Sequence, residues 1–334
     1  MTIENLMQAG QIRRANLPPR NGHGKGARLT LPLIAEDYPA KTATMWNAAY
    51  AAFGIDAENM MVVAHPEDVS LILETLRTDP RYEGGGAGVG FKEIVLPLLD
   101  SVTPEARAIG AVNIIKKEGG KLVGDNTDGE GYAMSLELSF SAQGETLSGK
   151  RVLMLGAGGS GRAIAFALAR RGARLTIANR TAQKAAELAE SINRSFETAH
   201  AEGGGRARIA EILPSQDAVV SVIDDAHSPL DAYSTLGPME LPMTQESIAA
   251  NRASTETLLR HAKPGIIISD IRIRAQVVPM LAQAYALGFP TLDGIGMVIN
   301  QGVAAFWWLY GDQLTTRGKE ISDVRRVMDA AARI

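Results

Sequence analysis

Two charged side chains, well separated in the chain, have the types needed to pass a proton to and from an alcohol: Lys92 in GFKE and Asp128 in GDNTDGEG, residues 124–131. A partly desolvated lysine beside a carboxylate can exchange a proton with a hydroxyl while the carboxylate holds both in register. They would titrate as a coupled pair, so either can be assigned the transferred proton. Asp128 stands between Asn126, Thr127 and an expected glycine turn, where a solvated loop would scatter its charges. Spacing alone does not pair the two residues, and each taken singly is more often a solvated charge.

Oxidation of an alcohol also needs an acceptor for the hydride, and residues 151–181, RVLMLGAGGSGRAIAFALARRGARLTIANRT, point to one. Arg151–Leu155 reads as a buried strand. Gly156, Gly158 and Gly161 follow in G-x-G-x-x-G spacing, with Gly159 between them, and a helix then runs to Gly172 before a second strand, RLTIA. These glycines permit a tight turn, close approach of backbone N–H groups to a pyrophosphate, and close packing of helix on strand. The helix N-terminus faces the anion. A bare glycine pattern could be a plain turn, but the complete strand, turn, helix and strand context predicts dinucleotide binding.

The end of the second strand bears on which dinucleotide. An acid there would accept hydrogen bonds from the ribose and repel a 2′-phosphate. This chain has Asn179, Arg180 and Thr181, with Lys184 one helical turn on. A guanidinium beside adenine and paired with phosphate suits NADP in preference to NAD. Thr181 also reads as the cap of the following helix.

The elements that must hold these residues in place divide the chain. In the first half, LTLPLIA (29–35) and MMVVAH (60–65) read as strands, and TATMWNAAYAAFG (42–54) and PEDVSLILETLRTD as helices, the former stopped by Gly54. That order predicts parallel strands with crossover helices. A polar linker, SAQGETLSGK, precedes the glycine motif. Beyond it, DAVVSVIDD (217–225) and GIIISDI (265–271) read as further buried strands of one sheet. The stretch 226–264 between them is long and polar, with a helix expected at TETLLRHA. The chain closes on helix-period sequence in which Phe306, Trp307 and Trp308 read as core. The first 28 residues carry five basic side chains and a Pro/Gly-rich run, and are expected to form a flexible extension.

Composition excludes several classes. The 334 residues allow two domains, and 46% apolar with 21% charged residues is ordinary for a globular protein. A net charge of -3 argues against nucleic acid, whose binding rests on phosphate neutralisation. There is no cysteine, and the five histidines have no metal-ligand spacing, so no metal is expected. With no bilayer-length apolar stretch and no signal-peptide core, the expected location is the cytoplasm, without membrane contact.

Three further segments carry a family resemblance. AIGAVNIIKKEGGKLVGDNTDGEG (108–131), LGAGGSGRAIAFALA with NRTAQKAAELA, and DGIGMVINQG (293–302) resemble the shikimate and quinate dehydrogenases, over about Leu31 to Tyr310. The resemblance implies a two-domain α/β protein: an N-terminal substrate domain (29–140, rejoined by C-terminal helices at 303–334) and a Rossmann-type NADP-binding domain (141–302). It implies reversible NADP-dependent oxidation of a ring hydroxyl of a small cyclic hydroxy acid or polyol, in a cleft between the domains, by a monomer or homodimer. Lys92 would match the catalytic lysine and Asp128 its partner acid. Asn113 and Gln301 would hydrogen-bond the neighbouring ring hydroxyls, and Met297 would lie near the nicotinamide.

Departures fall at the other end of the substrate. The family's HSLSP segment, whose serines hold a carboxylate, is replaced by PAKTA (39–43), where Thr42 alone keeps a hydroxyl. NVT ahead of the lysine becomes GAG (86–88), the expected tyrosine becomes Ile273, and the ATSxGM turn is missing after VVSVIDD. Lys41, Arg272 and Arg274 are candidate replacement cations. The expectation is a related polyol or cyclic hydroxy acid held differently; the alternatives are a shikimate or quinate dehydrogenase with compensating contacts, and an NADP-binding sensor without turnover.

Overall fold

A computed structural model describes residues 2–14, 28–36, 41–88, 90–198, 200–225, 227–237, 242, 244–273 and 278–333. The strands run, in chain order, β1 (Ile12–Arg14), β2 (Arg28–Thr30), β3 (Leu33–Ile34), β4 (Ala57–Asn59), β5 (Val62–Ala64), β6 (Tyr82–Gly86), β7 (Ser101–Val102), β8 (Ile114–Glu118) and β9 (Lys121–Asp125). They continue with β10 (Arg151–Leu155), β11 (Arg174–Ala178), β12 (His200–Gly204), β13 (Ala218–Ser221), β14 (Ile267–Asp270) and β15 (Thr291–Leu292). The helices are α1 (Ile3–Gln8), α2 (Thr42–Phe53), α3 (Val69–Thr78), α4 (Pro104–Ile109), α5 (Asp128–Ser141) and α6 (Gly159–Arg170). Then come α7 (Ala182–Ser195), α8 (Ile209–Ile212), α9 (Gln245–Arg260), α10 (Pro279–Ala286), α11 (Ile295–Thr315) and α12 (Ile321–Ala332). The chain divides into two compact units, 1–127 with 301–334 and 128–300.

In the first unit Pro32, which lacks an N–H, interrupts the LTLPLIA run. β2 joins a six-stranded sheet of order β4-β2-β6-β8-β9-β7, whereas β3 joins β1 and β5 in a three-stranded one. The expected all-parallel arrangement is corrected here: β6 pairs antiparallel with β8, and β8 with β9, because the glycine turn at 119–120 (φ +58° and +80°) folds β8 and β9 into a hairpin. Gly54, left-handed at φ +62°, ends α2 as expected. Trp46 and Tyr50 of α2 pack on Phe306, ring centroids 5.2 and 5.4 Å away. Phe306 is core, while Trp307 and Trp308 are only half-buried, a partial correction.

The first 28 residues are not wholly an unstructured extension. Thr2 caps α1 with a reciprocal side-chain box, and β1 pairs antiparallel with β5. Ile3, Leu6 and Ile12 are buried in the core, each contributing roughly 1.5–3 kcal/mol of burial. The average composition concealed three well-placed apolar residues. Positions 15–27 lie outside the described residues, as does Arg274.

The second unit has one parallel sheet, β12-β11-β10-β13-β14-β15, which counted from its own first strand is the doubly wound order 3-2-1-4-5-6. The order reverses between β10 and β13. This compact unit runs from Asp128 to Asn300. α5 belongs here because Gly129 lies so close to α6 that a Cβ would stand 2.1 Å from the Ala163 carbonyl oxygen. Gly129 and Gly131 are helical, so the expected glycine turn after Asp128 is instead a helix start. The long 226–264 stretch contains α9, capped by Thr244. No described helix is long and apolar enough to cross a membrane, and no group of three His, Cys, Asp or Glu among the described residues could hold a metal.

Candidate active site

In the first unit the β8–β9 hairpin sets Ile114 opposite Asp125, which brings the residues beyond each strand together. Asn113 Oδ1 accepts the Thr127 N–H at 2.8 Å, and its Nδ2 donates to Thr127 Oγ1 (3.1 Å) and to Gln301 Oε1 (3.2 Å). Thr127 Oγ1 donates to the Gln301 carbonyl at 3.1 Å. Asn126 Nδ2 binds the Ala111 carbonyl at 3.0 Å. Buried amides need such partners, and once paired they are fixed in orientation. No described residue accepts from Gln301 Nε2, which leaves that NH₂ available to a ligand hydroxyl.

Lys92 is tied to this cluster through the backbone: its carbonyl accepts the Val112 N–H at 2.8 Å, one residue from Asn113. The turn before it is fixed by Gly90 (φ +89°) and by the fully buried Phe91. Its side chain is half-buried. Thus Lys92, Asn113 and Gln301 are brought together within one unit, and Thr127, which sequence reasoning passed over, is what joins the last two. Asp128 follows Thr127 directly and opens α5, buried at 6% exposure. A helix N-terminus favours a carboxylate there.

Thr42 and Lys41 start α2. Lys41 is exposed and makes no side-chain cap, and Thr42 is half-buried. Arg272 is corrected as a candidate anion contact. Asp270 holds its guanidinium bidentately, at 2.8 and 2.7 Å, and the Asp225 carbonyl takes a further N–H. Arg272 and Asp270 side chains are 7% and 0% exposed, so the charge is already neutralised out of water. Period-two spacing at the end of β14 was the signal for this pair. Asp225 anchors the segment after β13: burial would raise its carboxyl, but the His227 and Thr235 backbone N–H groups hold it below the usual range.

The glycine loop of the second unit fits a dinucleotide. Gly156 is at φ +110°, and a Cβ on it would lie 2.8 Å from Val222 Cγ2; one on Gly161 would lie 2.9 Å from the same atom. Around Gly158 there is open space, and as N-cap of α6 it supplies no side chain to the helix. Gly159 is the first residue of α6, so unused N–H groups face an open approach. Asn179 Oδ1 accepts the Ala157 N–H at 3.3 Å and its Nδ2 donates to the Thr181 carbonyl at 3.0 Å, tying the loop to the β11–α7 turn. Arg180, Thr181 and Lys184 are exposed. Neither cation joins an ion pair among the described residues. Thr181 occupies the N-cap of α7 but makes no side-chain cap bond, a correction that leaves its hydroxyl uncommitted. Met297, on α11, is 8% exposed.

Comparison with known proteins agrees with this geometry. Residues 39–115 match the Shikimate dehydrogenase substrate binding domain, and residues 139–232 match Shikimate / quinate 5-dehydrogenase. A shikimate dehydrogenase (NADP(+)) of Desulfitobacterium hafniense is 34% identical over 266 residues, covering 79% of this chain and 86% of the relative. Among solved structures, the ligand-free 5-ketofructose reductase of Gluconobacter sp. strain CHM43 is 27% identical with a TM-score of 0.67, covering 92% of this chain and 99% of that one. The shikimate dehydrogenase of Aquifex aeolicus is 25% identical with a TM-score of 0.68, covering 93% and 99%. With a two-unit α/β fold, a doubly wound sheet and a relative 34% identical over 79% of this chain, the chain belongs to the shikimate dehydrogenase family.

Proposed function

We propose that this protein is an NADP-dependent oxidoreductase that reversibly oxidises a ring hydroxyl of shikimate or a related cyclic polyol or hydroxy acid, reducing the 3-dehydro ketone in the reverse sense, in the cytoplasm. The observation that carries this reading is the fixed Asn113–Thr127–Gln301 cluster with Lys92 joined to its backbone and Asp128 next in sequence. NADP, when bound, supplies the hydride acceptor. The Gly156–Gly161 loop holds its pyrophosphate, Arg180 and Lys184 with Asn179 and Thr181 take the adenosine end, and Met297 packs at the nicotinamide. Lys92 receives the proton of the reacting hydroxyl, and Asp128 is its partner acid, holding lysine and hydroxyl in register. Gln301 Nε2 orients a neighbouring hydroxyl, and the Asn113 amide, whose N–H groups are already bonded within the protein, holds Gln301 for it.

The test follows absorbance of the reduced nicotinamide with NADP and either shikimate or quinate. Lys92→Ala should lower turnover about 10²–10⁴-fold with NADP affinity unchanged. NADP binding without turnover by the wild type on any cyclic polyol would support a sensor instead.

Three observations favour a second reading of the substrate. Gly86 brings bare backbone where the family carries a side chain, Arg272 is neutralised by Asp270, and a 27% identical relative is named for a neutral keto-sugar. On that reading the enzyme reduces an uncharged polyhydroxy ketone. With NADPH as reductant, the ratio of kcat/KM for 5-ketofructose and 3-dehydroshikimate separates the two.

A further inference from the structure

The end of the second unit's sheet opposite its glycine loop holds a row of basic side chains that the dinucleotide does not explain. Arg151, Arg174 and His200 are the first residues of β10, β11 and β12, and the register aligns Arg151 with Arg174 and Arg174 with His200. In-register residues on parallel strands share a face about 4.8 Å apart. Like charges so placed oppose each other. Among the described residues none of the three side chains has an ion pair or hydrogen bond. Of the acids close by, Asp217 accepts the Arg151 backbone N–H at 2.6 Å and pairs with Lys263, and Glu202 lies 3.7 Å from Arg208.

These three residues line a cavity of about 390 Å³ with Thr176, Ser215 and Gln216, and Glu202 borders it too. Gln216 is 3% exposed. Its Nε2 donates to Ser215 Oγ (3.1 Å) and the Ile212 carbonyl (3.3 Å), but its Oε1 is buried without a donor. A buried acceptor without a donor is rare and costly, and points to a missing partner. A ligand with an anionic group for the arginines and an O–H for Gln216 satisfies both requirements. Guanidinium groups match phosphate by paired N–H donors.

We propose that this cavity is a second ligand site, for a small hydroxylated phosphomonoester, at the far end of the sheet from the dinucleotide. The probes are glycerol 3-phosphate and inorganic phosphate, titrated calorimetrically into the full-length protein at saturating NADP. Saturable binding is expected, with glycerol 3-phosphate tighter than inorganic phosphate. Arg174→Ala and Arg151→Ala, both at exposed positions, should each weaken it roughly tenfold to a hundredfold with the fold unchanged by circular dichroism. No saturable heat, or equal affinity in wild type and both variants, overturns the site. Glycerol 3-phosphate binding no tighter than inorganic phosphate overturns the hydroxyl contact to Gln216, and with it the ligand class.

Discussion

Residues 84–88 and 111–127 run side by side in the first unit, joined where the Ala87 N–H meets the Asn113 carbonyl at 2.8 Å, yet they are provisioned in opposite ways. The second carries amides and a hydroxyl already bonded to one another. The first is almost bare. At Gly84 and Gly85 the reason is packing: a Cβ would stand 2.3 Å from the carbonyl oxygens of Ile115 and Leu31 respectively. A Cβ on Gly88 would lie 2.9 Å from the Leu33 oxygen. At Gly86 packing gives no reason, since the nearest atoms to a Cβ are 3.5 and 3.6 Å away. An open glycine beside a fixed polar cluster is where a ligand can approach the backbone closely. Polar side chains are thus distributed unequally over two neighbouring strands.

That contrast can be broken at several points. The largest effect is expected from Asp128→Asn, which keeps the size of the side chain and removes its charge: kcat should fall about 10²–10⁴-fold with the fold retained by circular dichroism. Retained turnover would mean that the Asp128 carboxylate takes no part in the proton transfer. Next, Gly85→Ala should destabilise the fold by about 3 kcal/mol in urea unfolding, because its obstacle is backbone. An unperturbed variant would show that the bare strand is not enforced by packing. Asn113→Ala should cost roughly 1–3 kcal/mol of stability and raise KM, since the Thr127 N–H loses its acceptor. The smallest change is expected for Gly86→Ala: stability within about 0.5 kcal/mol, read by the same unfolding curve, with KM for the substrate altered. A change in stability without a change in KM would assign Gly86 to packing after all.

How much of this was readable beforehand follows from how local each feature is. The glycine loop, its flanking strands and the basic β11–α7 turn are written in one continuous stretch, and their periodicity and spacing are sufficient. The order in the first unit was misread because a glycine pair at 119–120 made a hairpin where crossover helices were expected. Ile3, Leu6 and Ile12 were lost in the average of a polar terminus. Arg272 looked like an available cation, since charge type is visible in sequence and neutralisation is not. Thr127 stands in the sequence only as a neighbour of Asp128, because its links to Asn113 and Gln301 span 14 and 174 residues.

By itself the sequence determined the family, the parallel dinucleotide sheet and the residue types able to bind hydroxyls and move a proton, because each rests on short-range patterns of apolar period, glycine spacing and side-chain chemistry. Tertiary structure alone decided which of those groups are at liberty. It bonded Asn113 to Gln301, placed the Lys92 backbone beside them, locked Arg272 onto Asp270 and left the Gln216 oxygen without a donor. The physical reason is that a polar side chain's capacity depends on what has already satisfied it, and its partners are chosen by chain crossings that no local pattern encodes.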